Sequence, residues 1–242
     1  MEKQIKIQTS NKKNIYVILR GSLKKPLIVF VHGFTGDRNE RQFFNGARYV
    51  EKQGFSSVRF NLYLYDWRKD ARKLHECTLS THAYDLDRVV KYFRKKGAKK
   101  IFVVGHSYGG KTILLSKDRD FEGVVLWDPS HNSAPLFKKA KRIKNPKGYI
   151  ELDEAAYGVF VGDRMVKEES EFPWKEGVRN LKVPIRVIAA GNNSLIRGCK
   201  LYYKFANQPK SLVRIKGASH TFEEDGKEEK LFQETVNWLK KI

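Results

Sequence analysis

The sequence is short of sulfur and of acid. Of its 242 residues only two are cysteines, Cys77 and Cys199, and only two are methionines. The cysteines lie far apart and match no metal-ligand or redox spacing. Neither a disulfide framework nor a zinc site is implied, and the chain reads as carrying two reduced thiols. No stretch approaches the ~18 uninterrupted apolar residues of a membrane span. The lysine-dotted segment from Met1 to Asn14 lacks the apolar run of a secretory signal. Together these point to a soluble, cytoplasmic protein. There is no internal repeat. Acidic residues number 27 against 48 lysines and arginines, a formal net charge of +21. That surplus makes a positive field attractive to phosphates, anionic lipid and acidic substrates, and says nothing about the fold. A nucleic-acid binder would add a reading element or stacking aromatics in a groove. None accompanies the basic run Lys138, Lys139, Lys141, Arg142, Lys144 and Lys147, nor the smaller clusters at Arg68, Lys69, Arg72, Lys73 and at Lys95, Lys96, Lys99, Lys100. The charge therefore reads as solvated faces with nonspecific attraction for polyanions, and no specific nucleic-acid partner is implied.

The chain has enough apolar material to fold. A hydrophobic content of 40%, with 12% aromatic residues, excludes a mainly disordered chain. The length suits one large α/β domain with an insertion. Short β-branched runs alternate with stretches of helical period, the pattern of a mostly parallel sheet covered by helices. Ile5 and Ile7, then Ile15, Val17 and Leu19, have the period of two of half-exposed antiparallel strands. The runs Leu27 to Val31, Ser57 to Phe60, Ile101 to Val104, Val124 to Trp127, Ile185 to Ala189 and Ser211 to Ile215 follow as successive strands. Leu86, Val89, Val90 and Phe93 mark a helix that Gly97 can stop. Leu231, Phe232, Val236 and Leu239 mark the last helix. The alternation breaks between Pro129 and about Asn180. This divides the chain into a core of residues 1–128 and 181–242 and a small cap insertion, 129–180.

Gly105-His106-Ser107-Tyr108-Gly109 directly follows one strand and precedes a helix through Thr112 to Leu115. A sharp turn between strand and helix lifts a serine hydroxyl above the sheet, and small flanking residues keep the turn free of clashes. His32-Gly33-Phe34-Thr35-Gly36 follows the first central strand, where one backbone N–H for an oxyanion is expected. The amides of Phe34 and Tyr108 are the candidate pair. A serine needs a base to take its proton. Of six histidines, His32 and His106 belong to the two loops, and His75, His82 and His131 read as surface or packing residues. His220, just past the last strand and before the last helix, is the candidate base.

The orienting acid is less legible. After the strand Ile185 to Ala189 come Gly191, Asn192, Asn193 and Ser194, with no carboxylate. Asn193 can hold an imidazole by a hydrogen bond but cannot offset imidazolium charge. Asp128 stands at the carboxyl end of the preceding strand, where catalytic groups gather in open α/β sheets. Glu223, Glu224 and Asp225 lie beside His220 and remain further alternatives. In the insertion and at its root, Trp127, Phe137, Tyr157 and Trp174 are candidates for a substrate pocket.

At these residues the sequence resembles the α/β-hydrolase superfamily, and within it the small carboxylesterases of the cinnamoyl or feruloyl esterase and monoacylglycerol lipase type. The order of oxyanion loop, serine turn, insertion and terminal histidine spans nearly the whole chain. The resemblance implies an α/β-hydrolase fold with a small cap, Ser107 as nucleophile, His220 as base, and the Phe34 and Tyr108 amides as oxyanion hole. It implies a small-molecule ester as substrate, with no metal or organic cofactor. It would also put the acid at Asn193, where this chain departs from the pattern. Asn61 is a second departure, because relatives often carry an aspartate there and then a Gly-rich turn, where this chain has Tyr63, Tyr65 and Trp67.

Overall fold

The computed structural model describes residues 2–65, 68–131, 141–142, 149–154, 157–191 and 193–242. Trp67, Phe137 and most of the basic run from Lys138 to Lys147 lie outside them. Strands β1 (Glu2–Gln8) and β2 (Asn14–Arg20) form an antiparallel pair, with Ile5 opposite Val17. Then come β3 (Leu27–Val31), α1 (Arg41–Lys52), β4 (Ser56–Phe60), α2 (Leu79–Lys95), β5 (Ile101–His106), α3 (Tyr108–Leu115) and β6 (Gly123–Trp127). A second, three-stranded antiparallel sheet is made by β7 (Lys141–Arg142), β8 (Tyr149–Glu154) and β9 (Tyr157–Gly162). Helices α4 (Asp163–Ser170) and α5 (Trp174–Arg179) lead back to β10 (Ile185–Ala190), and α6 (Ile196–Phe205), β11 (Lys210–Ile215) and α7 (Lys227–Leu239) complete the chain.

The main sheet has the order β1-β2-β4-β3-β5-β6-β10-β11. From β4 onward every pairing is parallel. The central strands β3, β5, β6 and β10 are buried along their whole length, so they read as apolar runs and not as alternations. Alternate residues feed two cores. Val29, Val31, Val103 and Leu126 join the side covered by α2, α3 and α6. Phe30, Phe102, Val104 and Trp127 join the side covered by α1 and α7. Each such buried side chain contributes on the order of 2 kcal/mol by leaving water. β2 corrects one expectation. Ile15, Tyr16, Val17 and Ile18 are all buried, because Ile15 and Val17 join the core on one face while Lys6 and Arg68 lie over the Tyr16 ring on the other.

The helix signals held. α2 carries Leu86, Val89, Val90 and Phe93 inward, and Gly97 follows its end at φ 98°, the left-handed conformation that closes a helix without a Cβ penalty. The insertion leaves β6 and returns to β10, two strands that pair directly. Among its described residues, Gly162 approaches the His75 carbonyl and Glu168 accepts the Ser80 N–H at 2.8 Å. The segment thus packs on the loop before α2 and on that helix's start.

Candidate active site

The carboxyl ends of β3, β5, β6 and β11 open onto four loops, and each carries a non-glycine residue at positive φ: Thr35 at 62°, Ser107 at 53°, Asp128 at 41° and Phe222 at 58°. Only seven such residues occur among the described ones. Backbone held in sparsely populated regions costs on the order of 1–3 kcal/mol per residue and persists where surrounding structure enforces it. Its concentration on one edge of the sheet makes that edge the candidate site.

Ser107 forms the turn between β5 and α3. Its N–H donates to the Trp127 carbonyl (2.9 Å), and its carbonyl accepts from Gly110 (3.1 Å) and Ser130 (3.2 Å). The two glycines of the motif have a steric purpose. A Cβ on Gly109 would stand 2.3 Å from the Val31 oxygen, and one on Gly105 would meet Gly109 at 2.8 Å. Both would push α3 off the sheet and displace the serine. Gly33 passes close by, so that a Cβ there would touch the Ser107 Cβ at 3.4 Å. This brings the loop carrying Phe34 against the serine, and the Phe34 and Tyr108 rings pack 5.7 Å apart. Tyr108 opens α3, so its N–H has no acceptor within the helix.

His32 locks that loop from beneath. Its Nδ1–H donates to the Gly33 carbonyl at 2.8 Å, and its Nε2 accepts the Leu62 N–H at 3.0 Å. Burial pulls its pKa down to about 4, so it is a neutral hydrogen-bonding strut. His106 is also buried and brought to about 4. Its Nε2 donates to the His220 carbonyl at 2.8 Å, and the two rings lie 4.6 Å apart. The residue next to Ser107 thereby fixes the loop that carries His220.

His220 keeps 38% of its side chain exposed, and its Nδ1 donates to Asp128 Oδ2 at 2.6 Å. Asp128 is fully buried. Its Oδ1 accepts the Ala190 N–H at 2.9 Å and the Cys199 thiol at 3.8 Å, and Asn193 Nδ2 donates to Oδ2 at 2.6 Å. Four donors thus surround one buried carboxylate. Of the open alternatives, the structure brings Asp128 to His220 and turns Asn193 toward Asp128. Glu224 accepts the Ser219 N–H instead.

The pocket candidates fare unevenly. Trp127 is a correction. It is 1% exposed, its Nε1 donates to Thr235 at 2.8 Å, and its ring lies among Phe30, Phe43 and Phe232. Strand alternation points it into the core under α7. Trp174 is partly buried at the start of α5, edge-on to His131 at 5.9 Å. Tyr157 opens β9, and its side chain, like Phe137, lies outside what the structure describes.

His82, one of the histidines read as surface or packing residues, packs: it is fully buried and meets the Tyr108 hydroxyl at 3.0 Å beneath the serine helix. Two features had no signal in the sequence. Lys111 on α3, 0% exposed, pairs with Glu169 on α4 at 2.5 Å. Asn193 serves the acid and not the histidine. Each depends on contacts across long sequence separations, which residue spacing does not reveal.

Sheet order, the strand-to-helix serine turn and the histidine after the last strand together define an α/β-hydrolase fold, and the chain has it. Residues 26–140 match the family model described as alpha/beta hydrolase fold. The chain resembles Est1E from Butyrivibrio proteoclasticus, solved with ferulic acid bound, at 20% identity over 98% of both chains with a TM-score of 0.82. It resembles the alpha/beta hydrolase GrgF from Penicillium sp. sh18 at 14% identity, covering 100% of this chain and 98% of that one, with a TM-score of 0.80. The esterase domain of a Rhodothermus marinus protein aligns at 16% identity over 98% and 97%, with a TM-score of 0.75. No curated protein matches the chain in sequence. Among the described residues no helix is long and apolar enough to cross a membrane.

Proposed function

We propose that this protein is a serine hydrolase cleaving carboxylic esters of short acyl or aryl acids through an acyl-enzyme. The observation that carries the reading is the 2.6 Å bond from half-exposed His220 to fully buried Asp128, on the sheet edge where Ser107 forms its strained turn. Ser107 Oγ attacks the ester carbonyl as His220 Nε2 takes its proton, and an Oγ–carbon bond forms. The tetrahedral oxyanion accepts hydrogen bonds from the Phe34 and Tyr108 amides, each such donor contributing about 3 kcal/mol. Collapse breaks the bond to the leaving alkoxide, which receives the proton from His220. Water then repeats the sequence on the acyl-enzyme and frees the acid and Ser107. Asp128 keeps the Nδ1–H tautomer and offsets the imidazolium charge. The reading calls for no metal or organic cofactor.

Residues 129–180 act in this reading as a cap over the carboxyl edge, with Trp174 among the residues that size the acyl pocket. The aromatic acid bound to Est1E favours aryl acids as substrates to try first. Cys77 and Cys199, both buried and free, suit a reducing cytoplasm. The net charge of +21 adds salt-sensitive, nonspecific attraction to polyanions.

The test is labelling by a fluorophosphonate together with hydrolysis of p-nitrophenyl esters of graded acyl length, for the wild type and Ser107→Ala. Labelling and turnover that vanish with the serine support the reading, and the preferred acyl length sizes the pocket. A wild type that neither labels nor turns over any ester overturns it.

A further inference from the structure

The Phe34 amide is one end of the peptide that joins Phe34 to Gly33, and that peptide is held by its other end. The Gly33 carbonyl accepts from three donors: His32 Nδ1–H at 2.8 Å, the Gly36 N–H at 3.3 Å and the Tyr63 hydroxyl at 3.5 Å. A trans peptide is flat, so its C=O and N–H point in opposite directions. Whatever fixes the carbonyl fixes the amide. His32 and Tyr63 are only 1% and 2% exposed. With the carbonyl turned toward them, the Phe34 N–H is turned away from the core, beside Ser107.

Tyr63 lies in the loop after β4, in the stretch where this chain departs from the pattern of its relatives. Its ring stands edge-on to His32 at 5.3 Å and to Tyr65 at 5.5 Å, and 5.6 Å from the His82 ring. These contacts set where the hydroxyl sits. Packing alone needs only the ring, whereas a buried hydroxyl is costly unless it is bonded. Burial pushes its pKa well above the ordinary 10, so the hydroxyl keeps its proton and remains a donor. His32, through its bond to the Leu62 N–H, ties the carbonyl to the same loop.

We propose that Tyr63 is a positioning residue of the oxyanion hole, its hydroxyl restraining the Gly33–Phe34 peptide so that the Phe34 N–H stays presented to the oxyanion. This rests on the serine-hydrolase reading. A peptide free to rotate would bring its carbonyl oxygen toward the site and set one negative charge against another. The restraint is also worth more in the transition state than before it. As the oxyanion draws on the Phe34 N–H, the peptide polarises, the Gly33 oxygen becomes more negative and the Tyr63 bond strengthens. An interaction that grows in this way shows in kcat and not in KM.

The test is Tyr63→Phe, which keeps the ring and removes the hydroxyl, with folding checked by a thermal melt. On the best p-nitrophenyl ester, kcat is expected to fall about three- to tenfold while KM stays within about twofold. A boronic acid that forms a tetrahedral adduct on Ser107 is expected to bind more weakly by the same factor. The second readout needs no substrate: the ¹³C resonance of the labelled Gly33 carbonyl is expected to move upfield as one of its donors is lost. An unchanged kcat, a rise in KM with kcat held, or an unmoved carbonyl resonance overturns the inference, while an active wild type keeps the proposed function. A wild type that neither labels with fluorophosphonate nor turns over any ester overturns the proposed function and this inference with it. If Tyr63→Phe does not fold, 3-fluorotyrosine in place of Tyr63 decides. It is a stronger donor of nearly the same shape, so the Gly33 resonance should move downfield, and an unmoved one overturns the inference.

Discussion

Among the carboxylates buried beside the helix that follows Ser107, the protein treats Asp128 and Glu169 in opposite ways. Asp128 is surrounded by four donors, one of which belongs to a histidine with an open face to solvent. Glu169 has Lys111 on one oxygen, while its Oε1 has no hydrogen-bond partner among the described residues. A buried anion with neutral donors keeps its charge available to a neighbour that changes protonation. An anion paired with a fixed, fully buried ammonium is already spent on that cation. The first arrangement suits proton transfer, and the second fastens α4 to α3.

The largest effect that separates them is on turnover. Asp128→Asn retains the backbone at φ 41° and removes only the charge, so kcat/KM on the best ester should fall by about four orders of magnitude while the melting temperature changes little. Asp128→Ala would mix that loss with backbone strain and is the poorer test.

The converse effect is on stability. Lys111→Met leaves Glu169 as an uncompensated buried charge, at a cost of about 3–5 kcal/mol. That should appear as a melting temperature lower by roughly 10 °C. Activity per folded molecule should remain. Adding Glu169→Leu should return most of the stability, because a well-packed apolar pair is often as stable as the ion pair it replaces. If Glu169→Leu with Lys111→Met abolished turnover at full folding, the division of labour between the two carboxylates would be wrong.

How much of this was legible in the sequence follows the same division. Ser107, the His32–Gly36 loop and His220 announce themselves because their chemistry depends on residues within one strand-to-loop junction. Asp128 was one of several open choices. Nothing in the segment Trp127-Asp128-Pro129 says that its carboxylate meets a histidine 92 positions later. Trp127 was misplaced because pocket wall and core look alike along a strand, and only the face on which the alternation falls distinguishes them. The ion pair of Lys111 and Glu169 had no signal, since a lysine in an otherwise apolar helix reads as a surface residue. β2 read as half exposed because Ile15, Val17 and Leu19 recur with a period of two, whereas Tyr16 and Ile18 between them are buried as well.

Histidine burial gives His32 and His106 a pH signature. Both have folded pKa values near 4, below the ordinary 6.5. Between those values the unfolded chain binds more protons than the folded one, so stability falls as pH drops from 6.5 toward 4. Each contributes about 3 kcal/mol to that slope. Urea unfolding across this range should show it, and His32→Gln should flatten it.

The smallest effect has the opposite sign. Burial, with Asp37 and Glu223 nearby, pushes Glu40 up to about 7. The folded state then holds a proton that the unfolded state has released, and stability from this group is lost as pH rises from 4.5 to 7. Glu40→Gln should therefore gain stability relative to the wild type by pH 8, by about 1–2 kcal/mol after allowance for partial solvent screening. Equal urea midpoints for the two proteins at pH 5 and pH 8 would remove Glu40 from the account.

The register of the sheet has one more consequence. His106 stands opposite Trp127, so Ser107 and Asp128 leave neighbouring strands side by side, within one strand–helix–strand unit. His220 arrives from beyond the insertion. The seam between β6 and β10 therefore divides the machinery two against one. A chain cut within the insertion would yield a longer fragment with the proposed nucleophile and acid and a shorter one with the proposed base. Neither fragment could turn over substrate alone, so activity recovered on mixing them would count the sheets that had closed across that seam.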